Sequence, residues 1–209
     1  MKKILCLVLS LMLLALCPAM AENAAEELRM QVLTSPNGDY SFEVPETYFT
    51  MDAEWVASLM GQEEFQKLLT NMMGLEDPTM LETYIQMMEA SNMMIVYAAD
   101  FYANLNVQAI PASLSMDMVV ALKSTLDETM VQQYTALGLA EEDIGFMEIQ
   151  QIGEYRWYGV QMVLAGTPLQ TMITVVDDTQ YTVTFTGMDE AASQHVLESF
   201  RATAPAAAE

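Results

Sequence analysis

The single histidine of the chain, His195, is the first residue to weigh for catalysis, because an imidazole can exchange protons near neutral pH. It lies in a helical pattern, one turn before Ser199 and three residues before Glu198. A serine nucleophile in a strained strand-to-helix turn would need a G-x-S-x-G segment, and the sequence contains none. A lone histidine on a helix is typical of a surface residue. We therefore predict that the chain has no catalytic residue.

Metal and cofactor sites need residue clusters that this sequence does not supply. Both cysteines, Cys6 and Cys17, fall within the first 21 residues, so neither a cysteine–histidine pair nor a closed zinc site is expected after them. The acidic runs at 141–143 and 177–178 lack the alternating spacing of a calcium-binding loop. No glycine-rich loop for a dinucleotide or a nucleotide phosphate occurs. We expect neither a bound metal ion nor an organic cofactor.

Acidic residues dominate the charge of the chain. Twenty-nine Asp and Glu stand against seven Lys and Arg, and the net charge is −22. Nucleic acids and anionic membrane surfaces attract basic chains, so neither is an expected partner. The charge favours solubility in an extracytoplasmic space, or attraction of cations or a basic partner. Two nearby carboxylates could also hydrolyse a glycosidic bond, so a carboxylate-dependent hydrolase is a remote alternative.

Methionine is unusually frequent, with 20 residues. Most of them fall on helical stripes beside Leu and Ile, where a flexible side chain fills gaps in a core. Two other interpretations stay open: an adaptable apolar surface that binds proteins, and copper(I) coordination by thioethers. The helical pattern between 52 and 92 holds more methionines than one buried stripe can take. The candidate interaction surface in this segment consists of Met72, Met73, Met80, Tyr84, Met87 and Met88.

The first 21 residues have the pattern of a secretory signal peptide. A basic start precedes an apolar run from Ile4 to Cys17, and Ala19-Met20-Ala21 is a small-x-small cleavage site. The run is short for a bilayer span. We expect cleavage after Ala21, a secreted or extracytoplasmic protein, and no transmembrane segment in the mature chain. Leu16 stands where lipidation of Cys17 would need a small residue, so lipidation is disfavoured.

Three consecutive strand patterns, at 155–165, 169–176 and 180–186, organise the fold. The breaks between them are short enough to allow only antiparallel neighbours. The last strand alternates, with Tyr181 and Val183 on one face and Thr182 and Thr184 on the other. The first two strands are apolar on both faces, so the sheet needs cover on both sides, which helices can supply.

The rest of the chain supplies a hairpin around Asn37-Gly38, two helices within 52–92, and strands at 94–100 and 105–110. A long helix from Ser115 to Leu137, a strand at 146–152 and a helix capped by Asp189 follow. We predict an α+β fold in which an antiparallel sheet of about six or seven strands lies between helical layers. It forms one domain over residues 30–201, with the 52–92 helices as an insertion. Residues 22–29 are predicted as a flexible leader and 202–209 as a disordered tail.

Three short segments, YSFEVP at 40–45, NLNV at 104–107 and VLESFR at 196–201, occur in order around these strands. Together they resemble the PsbP-like group of proteins, which includes the DcrB-type bacterial envelope proteins. The resemblance covers about residues 30–201, apart from the 52–92 segment. It implies an antiparallel sheet between helical layers and a non-enzymatic role of docking onto other proteins. It supplies no shared catalytic motif.

Two functional hypotheses of different classes follow. The first is an exported, non-catalytic interaction module of the cell envelope that docks another envelope or secreted protein through the Met-rich helical pair and the neighbouring sheet edge. The second is a carrier of a small apolar ligand held between the 52–92 helices and the sheet. A closed apolar cavity beneath these helices would favour the carrier, whereas a flat exposed methionine patch would favour docking.

Overall fold

The structure, a computed structural model, describes residues 29–59, 78–99, 102–164 and 166–203. These residues form an α+β fold with a large antiparallel sheet of eight strands, a small sheet of three strands and five α-helices. The fold class predicted from the sequence is therefore confirmed. The predicted signal peptide, and the predicted tail from residue 204 onward, lie outside the described residues.

The large sheet contains the predicted meander near its centre. In the order of their hydrogen-bonded pairing, its strands are β3 (Phe49–Met51), β4 (Met94–Tyr97), β5 (Asn104–Pro111), β10 (Thr179–Thr186), β9 (Thr167–Val176), β8 (Tyr155–Leu164) and β6 (Ile144–Phe146). A further strand, β7 (Gln150–Ile152), pairs with the start of β8. Every pair of neighbours is antiparallel, and within the meander of β8, β9 and β10 the short connections allow no other pairing.

The small sheet is made from the two ends of the described chain. It consists of β1 (Met30–Thr34), β2 (Tyr40–Pro45) and β11 (Arg201–Ala202). The first two strands form the predicted hairpin, and Gly38 takes the left-handed φ of +76° that its turn requires. The C-terminal strand pairs with β2 on its other side, so Ala202, which was predicted to begin a disordered tail, is paired instead.

The five helices are α1 (Ala53–Leu59), α2 (Pro78–Ala90), α3 (Met116–Ala121), α4 (Lys123–Ala136) and α5 (Glu190–Ser199). Ser115 and Asp189 cap α3 and α5 as predicted, each accepting a hydrogen bond from a backbone N–H three residues later. The single long helix predicted from Ser115 to Leu137 was wrong, because the chain leaves helical geometry at Leu122 (φ −105°, ψ 11°) and starts again.

Two further details differ from the sequence-based prediction. The strand predicted at 146–152 is split into β6 and β7, since Met147 to Ile149 leave the ladder between them. The strand β3 was not predicted. With only three residues it shows no alternation long enough to be recognised.

The central core lies between the large sheet and the layer formed by the small sheet and α5. Trp157 on β8 and Phe200 after α5 are both fully buried there, with ring centroids 5.4 Å apart in an edge-to-face arrangement. Tyr40 stacks on Phe200 from β2, with centroids 6.0 Å apart. One cover of the large sheet is thus a hairpin plus a helix rather than helices alone.

The opposite face of the large sheet carries two separate apolar clusters. The first, which we call the α1–α2 cluster, joins these helices to β3 and β4 and contains Val56, Met88 and Ile95. The second, the α3–α4 cluster, covers β8 and β9 and contains Tyr134 and Val160. The predicted two-sided burial of the meander is confirmed.

Candidate functional site

The histidine weighed for catalysis lies in an open cleft of about 350 Å³ between α5 and β2. His195 Nε2 is 3.0 Å from Glu43 Oε2, and both side chains are 42 % exposed. Sequence reasoning missed Glu43, because 152 residues separate it from the histidine and no local pattern links them. A pair this exposed is screened by solvent and contributes little to stability.

The neighbouring hydroxyl in this cleft is engaged by the backbone. Ser199 Oγ accepts a hydrogen bond from the Glu43 N–H at 3.0 Å and donates one to the Val196 carbonyl at 3.1 Å. An activated serine donates its proton to a general base instead. The serine therefore ties α5 to β2, and the cleft does not present a nucleophile–base pair.

A second site lies on the face of the large sheet that carries the two apolar clusters. Between those clusters, five polar side chains from neighbouring strands share this face; we call them the polar strip. Its members are Asn104 and Asn106 on β5, Thr184 and Thr186 on β10, and Thr171 on β9. They share the face because their apolar strand neighbours, such as Leu105 and Phe185, point into the central core.

Most of the polar strip is buried. The exposed fraction is 3 % for Asn104, 5 % for Asn106 and 1 % for Thr186. The hydroxyls of Thr171 and Thr184 lie 3.2 Å apart and satisfy each other. By contrast, Asn104 Oδ1, Asn106 Oδ1 and Thr186 Oγ1 are buried without a hydrogen-bond partner in the described part of the chain. Such groups are costly, because burial removes the water that would otherwise bind them.

A fourth unpartnered polar atom belongs to the α1–α2 cluster. The hydroxyl of Tyr84 on α2 is buried, and no partner for it lies among the described residues. Burial, with a smaller contribution from Tyr97, raises the pKa of Tyr84 well above its ordinary value. Tyr97 lies on β4 directly opposite Asn104, so the strip and the tyrosines adjoin. The arrangement can bind hydrogen-bonding groups beside an aromatic wall.

The structure divides the candidate interaction surface predicted from the sequence. Tyr84 and Met88 are 4 % and 1 % exposed, so these two are core residues of the α1–α2 cluster and cannot contact a partner directly. Met87 is half-buried. Met80 lies within α2, but its side chain is outside the description. Met72 and Met73 lie outside the described residues.

The exposed face of α1 and α2 has a different composition from the one predicted. Trp55 on α1 is 39 % exposed, whereas the other tryptophan, Trp157, is completely buried. Every charged residue in the two helices is acidic, namely Glu54, Glu82 and Glu89, and all three are exposed. The helical pair therefore presents an exposed aromatic ring on an acidic surface.

The described ranges also bear on metal binding and on membrane crossing. No group of three or more His, Cys, Asp and Glu side chains there is arranged to hold a metal ion. None of the helices in these ranges combines the length and the apolar character needed to cross a bilayer.

The polar strip could have been recognised from the sequence. Asn104 and Asn106 are two residues apart in a strand pattern, and Thr182, Thr184 and Thr186 repeat with the same period. Strand alternation therefore places each set on one face. The pairing that brings Asn104 opposite Thr186 joins segments 82 positions apart, and only the structure supplies it.

Comparison with known proteins gives likeness of fold alone. No protein-family model and no curated protein matches the chain. A solved structure from Bacteroides thetaiotaomicron is 15 % identical with a TM-score of 0.45. The match covers 82 % of this chain and 48 % of that one, so the chain spans about half the length of that protein.

Two further solved structures are similar along most of their length. The cyanobacterial PsbP (CyanoP) of Synechocystis is 10 % identical with a TM-score of 0.46, over 90 % of this chain and all of that one. The Ran-binding protein Mog1p of Saccharomyces cerevisiae is 8 % identical with a TM-score of 0.45, over 84 % and 96 %. One of these structures is a PsbP, in agreement with the PsbP-like resemblance of the sequence motifs. The predicted resemblance to DcrB-type envelope proteins is not tested by these structures.

Proposed function

We propose that this chain is an exported, non-catalytic protein-interaction module that binds its partner through the exposed face of α1 and α2 and the adjoining edge strand β3. The observation that carries the proposal is the exposure of Trp55 on α1. Tryptophan is enriched among the residues that dominate binding energy at protein interfaces.

The charges around the Trp55 ring indicate the chemistry of the partner. Glu54, Glu82 and Glu89 are the charged residues of α1 and α2, and the whole chain is strongly acidic. A protein with an apolar pocket rimmed by Lys and Arg would complement this face. Half-buried Met87 and Ile85 add flexible and branched apolar surface beside it. The association rate of this acidic face with a basic partner should be higher at low ionic strength.

Two observations support the non-catalytic and exported parts of the proposal. In the cleft that holds His195, the hydroxyl of Ser199 is committed to backbone groups of α5 and β2. The signal-peptide pattern of residues 1–21 predicts export, and the net charge of −22 suits a soluble protein outside the cytoplasm. The partner is then another envelope or secreted protein.

The proposal is tested by capture of a partner on the immobilised chain, with a surface variant and a matched control. We expect one protein from the extracytoplasmic fraction of the source cells to bind the wild type. Trp55→Ser should reduce that capture about tenfold or more, which corresponds to loss of an interface residue worth at least about 1.4 kcal/mol. Met118→Ser removes an exposed apolar side chain from α3 and should leave capture unchanged.

Two results would contradict the proposal. Equal capture by the wild type and Trp55→Ser would show that this face does not bind the partner. Loss of capture with Met118→Ser alone would place the binding surface on α3. The melting temperature of each variant must stay within a few degrees of the wild type, so that lost binding is not lost folding.

A second candidate function is the carriage of a small, largely apolar ligand between the α1–α2 pair and the sheet. The observation that favours it is the group of unpartnered polar atoms beside the α1–α2 cluster. Organic extraction of the purified protein, followed by mass spectrometry, tests it. A single compound recovered in molar proportion supports carriage. Recovery of no compound from the protein, together with capture of a protein through α1 and α2, rejects it.

A further inference from the structure

The polar strip and the α1–α2 cluster meet along β4 and β5. Asn104 lies directly opposite Thr186 on one side and Tyr97 on the other. Side chains in directly opposite positions of an antiparallel pair have Cβ atoms about 5 Å apart. Asn104 and Asn106 follow each other on one face at the usual two-residue spacing of about 7 Å. The three unpartnered oxygens of the strip therefore fall within the reach of one small molecule.

The aromatic side of this region adjoins the polar strip at Tyr97, which lies opposite Asn104. Tyr97 stacks on Phe49, with ring centroids 5.8 Å apart, and shares the α1–α2 cluster with Tyr84, Met88 and Ile95. The region therefore has two distinct halves. One half presents polar atoms, and the other presents aromatic and aliphatic side chains.

Three buried, unpartnered polar atoms in the polar strip call for a physical reason. Nearly all buried polar atoms in folded proteins have a hydrogen-bond partner, and each exception destabilises the protein. An apolar side chain of similar shape in place of an unpartnered polar one can be neutral or stabilising. Functional sites are where folds keep such costly groups, because a ligand supplies the missing partners.

We propose that this region is a binding site for a small amphiphilic molecule, whose hydrogen-bonding end contacts Asn104, Asn106 and Thr186 and whose apolar end contacts the ring of Tyr97. The three oxygens of the strip accept hydrogen bonds, so the polar end carries a donor such as a hydroxyl or an amine. This inference rests on the carrier function proposed above and adds the chemistry of the ligand. It makes no use of the exposed face around Trp55.

The first test needs no ligand. Thr186→Val keeps the shape of the side chain and removes the unpartnered hydroxyl, so it should raise the melting temperature of the empty protein by about 2–6 °C. Thr182→Val is the matched control on the same strand and face, because its hydroxyl already accepts a hydrogen bond from Gln180 Nε2 at 3.2 Å. The control should leave the melting temperature unchanged or lower it. Asn106→Leu provides a second variant of the strip, with the same expected rise as Thr186→Val.

The second test uses benzyl alcohol and toluene as probes, titrated into the full chain and observed by NMR. The two molecules share an aromatic ring, and only the alcohol carries a hydrogen-bond donor. We expect the wild type to bind benzyl alcohol about 3–10-fold more tightly than toluene. This ratio of affinities corresponds to the net free energy of one neutral hydrogen bond. Thr186→Val should reduce that preference, and Thr182→Val should keep it.

The outcomes separate this inference from the carrier function on which it rests. A fall in melting temperature with both Thr186→Val and Asn106→Leu would show that these groups serve the fold, and would overturn the inference. Equal binding of both probes to the wild type would show that the polar strip does not bind the hydroxyl group. That result would overturn the inference and leave a carrier of purely apolar ligands. If neither probe binds, as when water alone fills the region, both the inference and the carrier function fail.

Discussion

Tyr40 Oη donates a hydrogen bond to the main-chain carbonyl of Asn92 at 2.8 Å, across 52 residues of sequence. The same hydroxyl lies 3.1 Å from the Val107 carbonyl on β5. The Asn92 side chain in turn holds the β1–β2 turn, donating to Asp39 Oδ2 at 2.8 Å and to Ser35 Oγ at 3.2 Å. The hairpin is therefore fastened to the start of β4 and to β5 by buried polar contacts.

Replacement of this tyrosine tests the fastening. Tyr40→Phe keeps the ring and leaves the carbonyls of Asn92 and Val107 without the hydroxyl, so we expect the free energy of unfolding to fall by about 1–3 kcal/mol. Val120→Ala, at a side chain of α3 that is 42 % exposed, is the control and should change stability by less than about 0.5 kcal/mol. Urea unfolding measures both. A loss no larger than that of the control would show that the hydroxyl does not hold the hairpin.

Alkaline pH should unfold the protein through its buried tyrosines. Burial is the main cause that raises the pKa of Tyr40 and of Tyr84 above the ordinary value near 10. The unfolded chain releases these protons first, so their contribution to stability is complete below about pH 10 and decreases as the pH rises further. The slope approaches about 1.4 kcal/mol per pH unit for each such tyrosine.

The measurement is urea unfolding at about pH 8, 10 and 11, with phenolate absorbance recorded alongside. We expect stability to fall between the last two values and the absorbance of the buried tyrosines to appear only on unfolding. Phenolate absorbance from the full number of tyrosines in a still-folded protein would contradict the burial of these rings.

A close approach between α5 and the turn before β8 is the basis of another prediction. A Cβ at Gly153 would lie 2.8 Å from the main-chain oxygen of Glu198, and Gly153 also has a φ of +56°. Gly38 has a φ of +76°, but open space surrounds its Cβ position. Gly38→Ala therefore measures the conformational cost alone, about 1–2 kcal/mol. Gly153→Ala should cost about 1–3 kcal/mol more, because α5 has to shift. Similar losses in thermal unfolding would refute the close contact.

The two adjacent methionines of α2 should behave differently. Met88 is 1 % exposed and lies within the α1–α2 cluster, so Met88→Ser should reduce the free energy of unfolding by at least about 2–5 kcal/mol. Met87 is half-buried, and Met87→Ser should cost less than half as much. Chemical denaturation distinguishes them. Equal losses would mean that both side chains belong to the core.

The sequence predicted the parts of the fold that depend on local signals. The hairpin at Asn37-Gly38 and the caps at Ser115 and Asp189 are short-range features, and all three are confirmed. The break at Leu122 was missed, because the apolar stripe continues on both sides of it. An apolar stripe at helical spacing indicates which face is buried. It does not show whether that face belongs to one helix or to two consecutive helices.

The candidate sites were harder to predict, since they depend on pairing between distant segments. The Met-rich stripe on α2 was interpreted as a surface, but Tyr84 and Met88 turn toward β4 and are buried. Nothing in a stripe of apolar residues shows which of its members stays exposed. Likewise, the unpartnered state of Asn104 follows from its neighbours on β4 and β10, which the sequence does not reveal.

The central claim, that α1 and α2 form the binding face, is tested most directly by site-specific photo-crosslinking. A photoreactive residue is placed at exposed Gln86 on α2 and, as the control, at exposed Gln133 on α4. The proposed function predicts one cross-linked partner protein from position 86, lost with Trp55→Ser, and no such product from position 133. A partner cross-linked from position 133 and not from position 86 would contradict it.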